Sequence, residues 1–228
     1  MNEESGNVVH DSSQSGFHGE IHDVDHVTYK QKILRRGSTG ALGFNLFEVA
    51  ASIAECFVSD AVAGDFFRKL AGNEKSCTIA FWFEPTAIRN FNWMYAYPTD
   101  ALWGKSNYRC TTIGAHSRGG QILAESPSDV NTVNSDEALL DMLNKNHFVV
   151  WRKDAVTGKY TLTVNDITST VSGESSPETV GTGFYFPMSA GFDNYGLRGY
   201  MSDMSVFDYV LSDVQIADLY NKGTLSDI

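Results

Sequence analysis

GYMSDMSVF at residues 199–207, followed by DYVLSDVQIADLYNK at 208–222, reads as a strand running into a small capped helix. The glycine-bounded first part is rich in Tyr, Met, Val and Phe, which suit a pleated surface. In the second part Ser212 stands as the N-cap, and Gln215 three residues later completes a capping box. Ile216, Leu219 and Tyr220 share one helical face, predicted to turn inward. Lys222-Gly223 adds a basic last turn and a residue that tolerates the left-handed stop. A short terminal helix behind a strand predicts a β protein with one helical appendage.

Upstream, CTIAFWFEP at 77–85 is a near-continuous apolar run closed by proline, which predicts a strand buried on both sides. HFVVWRKDAVTGKYTLTVND at 147–166 predicts a hairpin. Gly158 supplies the positive-φ turn position, and Tyr160, Leu162 and Val164 alternate with Thr161 and Thr163. Asn165-Asp166 predicts a second turn, with 167–171 pairing back. Further strands are expected at 41–49, 90–97, 108–113, 184–191 and 197–207. Helical composition marks 50–57, 60–70 and 136–145.

The chain has 228 residues, 42% of them apolar and 12% aromatic, enough for one large β core or two small ones. Lys and Arg number 17 against 28 Asp and Glu, a net charge of −11 that argues against nucleic acid as a partner. Three cysteines, Cys56, Cys77 and Cys110, are odd in number and widely spaced, so a disulfide framework is not expected. The polar, acidic start is unlike a signal peptide. No run reaches the roughly 18 apolar residues of a membrane span. Residues 1–36, rich in Ser, His, Asp and Gly, read as an extended arm before a domain at 37–228.

The order of CTIAFWFEP, the 147–166 hairpin and the 199–220 segment resembles the laminin-G-like and pentraxin-like jelly rolls of the concanavalin A-like lectin/glucanase superfamily. Phe207, Leu211-Ser212 and the helix to Tyr220 carry its most specific part. Two departures stand out. Asn146-His147 lies where relatives carry Trp-His, and Ser202 with Asp203 lies where an inward Asp is usual. The resemblance implies an all-β, two-sheet antiparallel sandwich of about 12–14 strands with a short C-terminal helix.

Candidate sites follow from residue chemistry. Trp103, Asp100, Asn107 and Arg109 form an aromatic and polar cluster of the kind that binds a sugar. The aromatics at 91, 93, 95 and 97 read instead as a core face. Calcium, the one cofactor suggested, takes carboxylate and carbonyl oxygens; Asp193, Asn194 and Asp203 are the candidates, although Asp193-Asn194 equally suits a plain turn. His10, His18, His22 and His26 lie in the arm; on a helix the last three would share a face and could bind Zn²⁺, but Gly16 and Gly19 disfavour a helix. Retaining glycoside hydrolysis needs two carboxylates roughly 5 Å apart. No strand alternates acids in that way, so catalysis is not expected.

Two functional classes compete. One is a structural or adhesive protein of a larger assembly: a virus or phage particle component such as a capsid decoration, fibre or tail protein. It would dock on other subunits through its arm as a homo-oligomer. The other is a calcium-dependent carbohydrate-binding module recognising surface glycans. A glycoside hydrolase ranks third. The expected location is the virion, with cytoplasm or the extracellular space as alternatives.

Overall fold

The computed structural model describes residues 7–22, 27–30, 41–44, 55–64, 66–71, 75–87, 91–98, 106–113, 121–125, 132–134, 143–172, 181, 183–187 and 197–222. Fifteen strands among them form two antiparallel sheets. The first contains β1 (Val8–Val9), β2 (Gly19–His22), β5 (Glu55–Ser59), β14 (Gly183–Tyr185), β7 (Phe91–Pro98), β8 (Ser106–Ile113), β9 (Gln121–Glu125) and β10 (Thr132–Asn134), in that spatial order. The second runs β13 (Ile167–Ser172), β12 (Lys159–Val164), β11 (His147–Asp154), β6 (Cys77–Pro85), β15 (Gly199–Phe207), β4 (Ala41–Phe44) and β3 (Val27–Lys30). Three short helices accompany them: α1 (Asp60–Ala63), α2 (Phe66–Ala71) and α3 (Asp213–Lys222).

β6 lies at the centre of the second sheet, and every one of its nine residues is buried. Alternation divides them between two cores. Cys77, Ile79, Phe81 and Phe83 face the first sheet, where the Phe81 and Tyr95 rings meet edge to face at 5.9 Å. Ala80 and Trp82 face outward into a smaller core with Phe148, Val150, Tyr200, Leu211, Ile216 and Leu219. α3 roofs this outer core. An apolar run without alternation is therefore the sequence signature of a strand sandwiched between a sheet and a helix.

β15 keeps its apolar residues buried by means of a bulge. Met201 packs toward the main core and Tyr200 toward the outer one. The register then shifts between Ser202 and Ser205, with Asp203 at φ +53°. The extra residue changes the phase, so that Met204 and Val206 face the main core and Phe207 the outer one. At the other end, Gly199 passes so close to β6 that a Cβ would lie 2.2 Å from the Glu84 carbonyl oxygen. Only glycine fits there.

Three findings differ from the sequence expectations. Residues 55–57, within the span of helical composition, belong to β5 (Glu55–Ser59). Its burial alternates, with Cys56 and Val58 inward, and it pairs with β2 and β14. Partners on both sides override a weak helical propensity. The N-terminal stretch is extended, but it is paired: β1 and β2 complete one sheet and β3 edges the other, with Val9, Ile21 and Val27 buried. These strands raise the count above the expected 12–14. Finally, Tyr95 and Tyr97 are core residues as read, but Met94 is buried too, because the β7–β8 register slips between Trp93 and Tyr95. Residues 45–49, 50–54, 135–142 and 188–191, covered by other strand and helix expectations, lie outside the described residues.

Candidate functional site

The site begins with how α3 is held. Thr78, on the outer face of β6, donates its hydroxyl proton to the Tyr209 carbonyl (2.9 Å) and accepts from the Leu211 amide (2.9 Å). Arg152 of β11 donates to the Leu211 carbonyl (3.3 Å) and to the Asp213 carboxylate (2.7 Å). The capping box closes as expected: the Ser212 amide donates to Gln215 Oε1 (2.9 Å) and the Gln215 amide to Ser212 Oγ (3.3 Å). Ile216 and Leu219 are buried, whereas Tyr220 remains 42% exposed at the rim. Its ring lies 5.2 Å from Trp82 and 5.6 Å from Phe148. The Trp82 indole N–H, buried in this cluster, has no hydrogen-bond partner among the described residues.

Between α3 and the β11–β13 end of the sheet lies a cleft of about 550 Å³. That size falls within the roughly 300–1,000 Å³ of small-molecule sites. One wall is helical: Asp213, Ile216, Ala217, Tyr220 and Asn221 recur at helical spacing. The other comprises Asn146, Phe148, Thr163, Asn165, Asp166 and Thr168.

Asn165 organises the sheet wall. It sits in the β12–β13 turn at φ +57°, a conformation asparagine tolerates. Its Oδ1 accepts from the Phe148 amide (3.0 Å), and its Nδ2 donates to His147 Nδ1 (3.2 Å). That bond places the imidazole proton on Nε2. His147 itself is buried, 5.6 Å from the Phe83 ring, so it serves packing. Thr163 and Thr168 share a hydroxyl hydrogen bond of 2.9 Å across the strands. Asn221 Nδ2 donates one proton to the Ala217 carbonyl (2.8 Å), which leaves its Oδ1 and a second N–H available.

A second cleft, about 320 Å³, opens where β15 meets the 10–17 loop. Asp11 ties that loop together, accepting from the Ser13 amide and hydroxyl and from the Phe17 amide at 2.7–2.8 Å. Burial opposes ionisation of Asp11, but these donors outweigh it and hold its carboxyl below the usual range. The aromatic floor includes Phe67 and Phe184, stacked at 4.7 Å.

Of the sequence candidates, Asp203 lines this second cleft, its Oδ2 accepting from Ser202 Oγ at 2.9 Å. Asp193 and Asn194 lie outside the described residues, as do Trp103 and Asp100. Asn107 and Arg109 lie on β8, where Arg109 pairs with Ala96 and Glu125. His10 and His18 meet edge to face at 5.2 Å, and His18 Nδ1 accepts from the Asp11 amide. His22 lies on β2 with its Nδ1 3.2 Å from a Glu55 carboxylate oxygen. No group of three metal-binding side chains gathers among the described residues.

Sequence reading missed the first cleft's residues. Asn165 and Asp166 were legible only as a turn and Tyr220 only as an inward helical position. Their juxtaposition has no sequence signal, because 55 residues separate Asn165 from Tyr220.

The two sheets, the central β6 and the terminal helix define a jelly-roll sandwich of the concanavalin A-like type. No family model and no curated protein matches the sequence. Solved structures do match. Domain 4 of AbnA, a GH43 extracellular arabinanase from Geobacillus stearothermophilus, in complex with arabinotriose, aligns at TM-score 0.57 and 9% identity, over 86% of this chain and 81% of that one. The CBM40 of the Ruminococcus gnavus IT-sialidase aligns at TM-score 0.53 and 15% identity, over 71% and 88%. Trypanosoma rangeli sialidase aligns at TM-score 0.64 and 11% identity, over 97% of this chain but only 32% of the enzyme, so this chain spans about a third of that protein's length.

Proposed function

We propose that this protein is a non-catalytic glycan-binding module whose binding site is the cleft between α3 and the β11–β13 hairpins. The observation that carries this reading is the lining. A half-exposed Tyr220 ring stands beside amide, hydroxyl and carboxylate groups in a cleft of suitable size. An aromatic ring packs against the C–H face of a sugar, while planar polar groups fix its hydroxyls. Solved structures of the same fold hold arabinotriose and sialyllactose, which supports a glycan as the ligand class.

Binding without turnover is supported by the fate of the two carboxylates in the cleft. Asp213 is paired to Arg152 at the helix N-terminus, where it favours the helix dipole. That leaves Asp166, whereas the usual retaining and inverting routes each use two carboxyl groups. The particle-component reading drew in part on a polar arm of the kind that docks onto a neighbour. The described part of that arm pairs within its own sheets.

Screening on a glycan array and titration calorimetry test the proposal. Tyr220→Ala is expected to weaken binding at least about tenfold, on the scale of one lost aromatic contact. Its folding is checked by circular dichroism, and Asn221→Ala gives an independent probe that leaves the aromatic cluster intact. Unchanged affinity in both variants, or an array without any binding, overturns the assignment.

A further inference from the structure

We infer that the α3 cleft selects uncharged, hydroxyl-rich glycans and rejects carboxylated ones. This rests on the glycan reading above and adds the charge class of the ligand. It follows from which hydrogen-bonding groups remain available once the internal bonds are counted.

Part of the donor capacity is committed. Asn221 Nδ2 uses one of its two N–H protons on the Ala217 carbonyl, and its oxygen stays open to a ligand. Asn165 uses its oxygen on the Phe148 amide and one amide proton on His147. The acceptors are open. Asp166, in the same cleft lining as Asn221, is exposed and has no partner among the described residues, so its carboxylate is open to a ligand. No Lys, Arg or His lines the cleft among the described residues. The nearest guanidinium, Arg152, is engaged with Leu211 and Asp213.

A cleft whose charged lining is carboxylate matches a ligand that brings donors, and sugar hydroxyls are donors. A uronate or sialic acid carboxylate brings acceptors and a negative charge. It would need an arginine fork or a lysine to offset its desolvation. Here it would meet Asp166 instead, within a molecule of net charge −11. Ammonium sugars, which bring only donors and a favourable charge, fit the same chemistry.

The test uses ligand pairs that differ in charge at equal chain length: methyl-esterified against free oligogalacturonate, and cello-oligosaccharides against glucuronate oligomers. Each is titrated calorimetrically against the full chain at low salt and at 0.5 M NaCl. The neutral member of a pair is expected to bind at least about tenfold more tightly, with the gap narrowing at high salt. Asp166→Asn, conservative in a turn that accepts either residue, is expected to close most of the gap between the members of each pair. Equal or tighter binding of the charged members overturns the inference and leaves the glycan reading standing. Binding of no member of any pair overturns both.

Discussion

Cys77 and Lys153 face one another across β6 and β11, and both are buried. The Lys153 ammonium donates to the Leu70 carbonyl at the end of α2. Burial pulls the Lys153 pKa down, with the Cys77 charge opposing. Burial likewise pushes the Cys77 thiol from 9.0 up to about 11, although Lys153 acts against it. A folded-state value above the unfolded one contributes stability that is complete below pH 9 and lost as pH rises through 11. Wild-type protein is therefore expected to lose on the order of 2–3 kcal/mol more than Cys77→Ala between pH 8.5 and 11. Urea unfolding at stepped pH measures this, and parallel curves for the two proteins would refute it.

The terminal helix depends on one residue outside it. Thr78 gives its hydroxyl to the Tyr209 carbonyl and takes the amide of Leu211, which is fully buried. Thr78→Val keeps the shape and strands both backbone groups. Unsatisfied buried groups cost roughly 1–3 kcal/mol each, so a loss of about 2–4 kcal/mol is expected, with Thr78→Ser recovering most of it. Because α3 forms one wall of the cleft, glycan affinity should fall with Thr78→Val even though residue 78 lines no part of the site. Equilibrium unfolding and calorimetry on the three proteins check both effects. Much of this element was legible beforehand: Ser212, Gln215 and the Ile216/Leu219 face declare the helix. The partner Thr78, more than 130 residues upstream, does not, because a threonine within an apolar strand reads the same whether or not a chain end comes to rest on it.

At the scale of the whole molecule, the N-terminal strands belong to the sandwich. Gly19 crosses so close over Cys56 that a Cβ would lie 2.6 Å from its sulfur, and Val9 and Ile21 are buried beside it. Deleting residues 1–22 removes two strands and uncovers Cys56 and Phe186. Each buried apolar side chain contributes roughly 1.5–3 kcal/mol, and in a chain of this size 1 kcal/mol shifts Tm by about 2–4 °C. A fall of at least about 10 °C is expected by scanning calorimetry. An unchanged Tm would show that the segment is a dispensable arm.

The sequence alone determined that this protein is built of paired strands with one capped helix at its end, and that β6 is covered on both faces. Those properties are local: periodicity, capping residues and turn residues act over a few positions, and each is written in consecutive letters. It also placed Asn165-Asp166 in a turn and Tyr220 on the apolar face of a helix. The tertiary structure decided that this turn and that helix face one another across a cleft, that the 1–30 region supplies strands to both sheets, and that 55–59 is a strand. Each of these depends on surfaces far apart in the chain being buried together. The energy of that burial belongs to the pair, so neither partner's sequence reveals it.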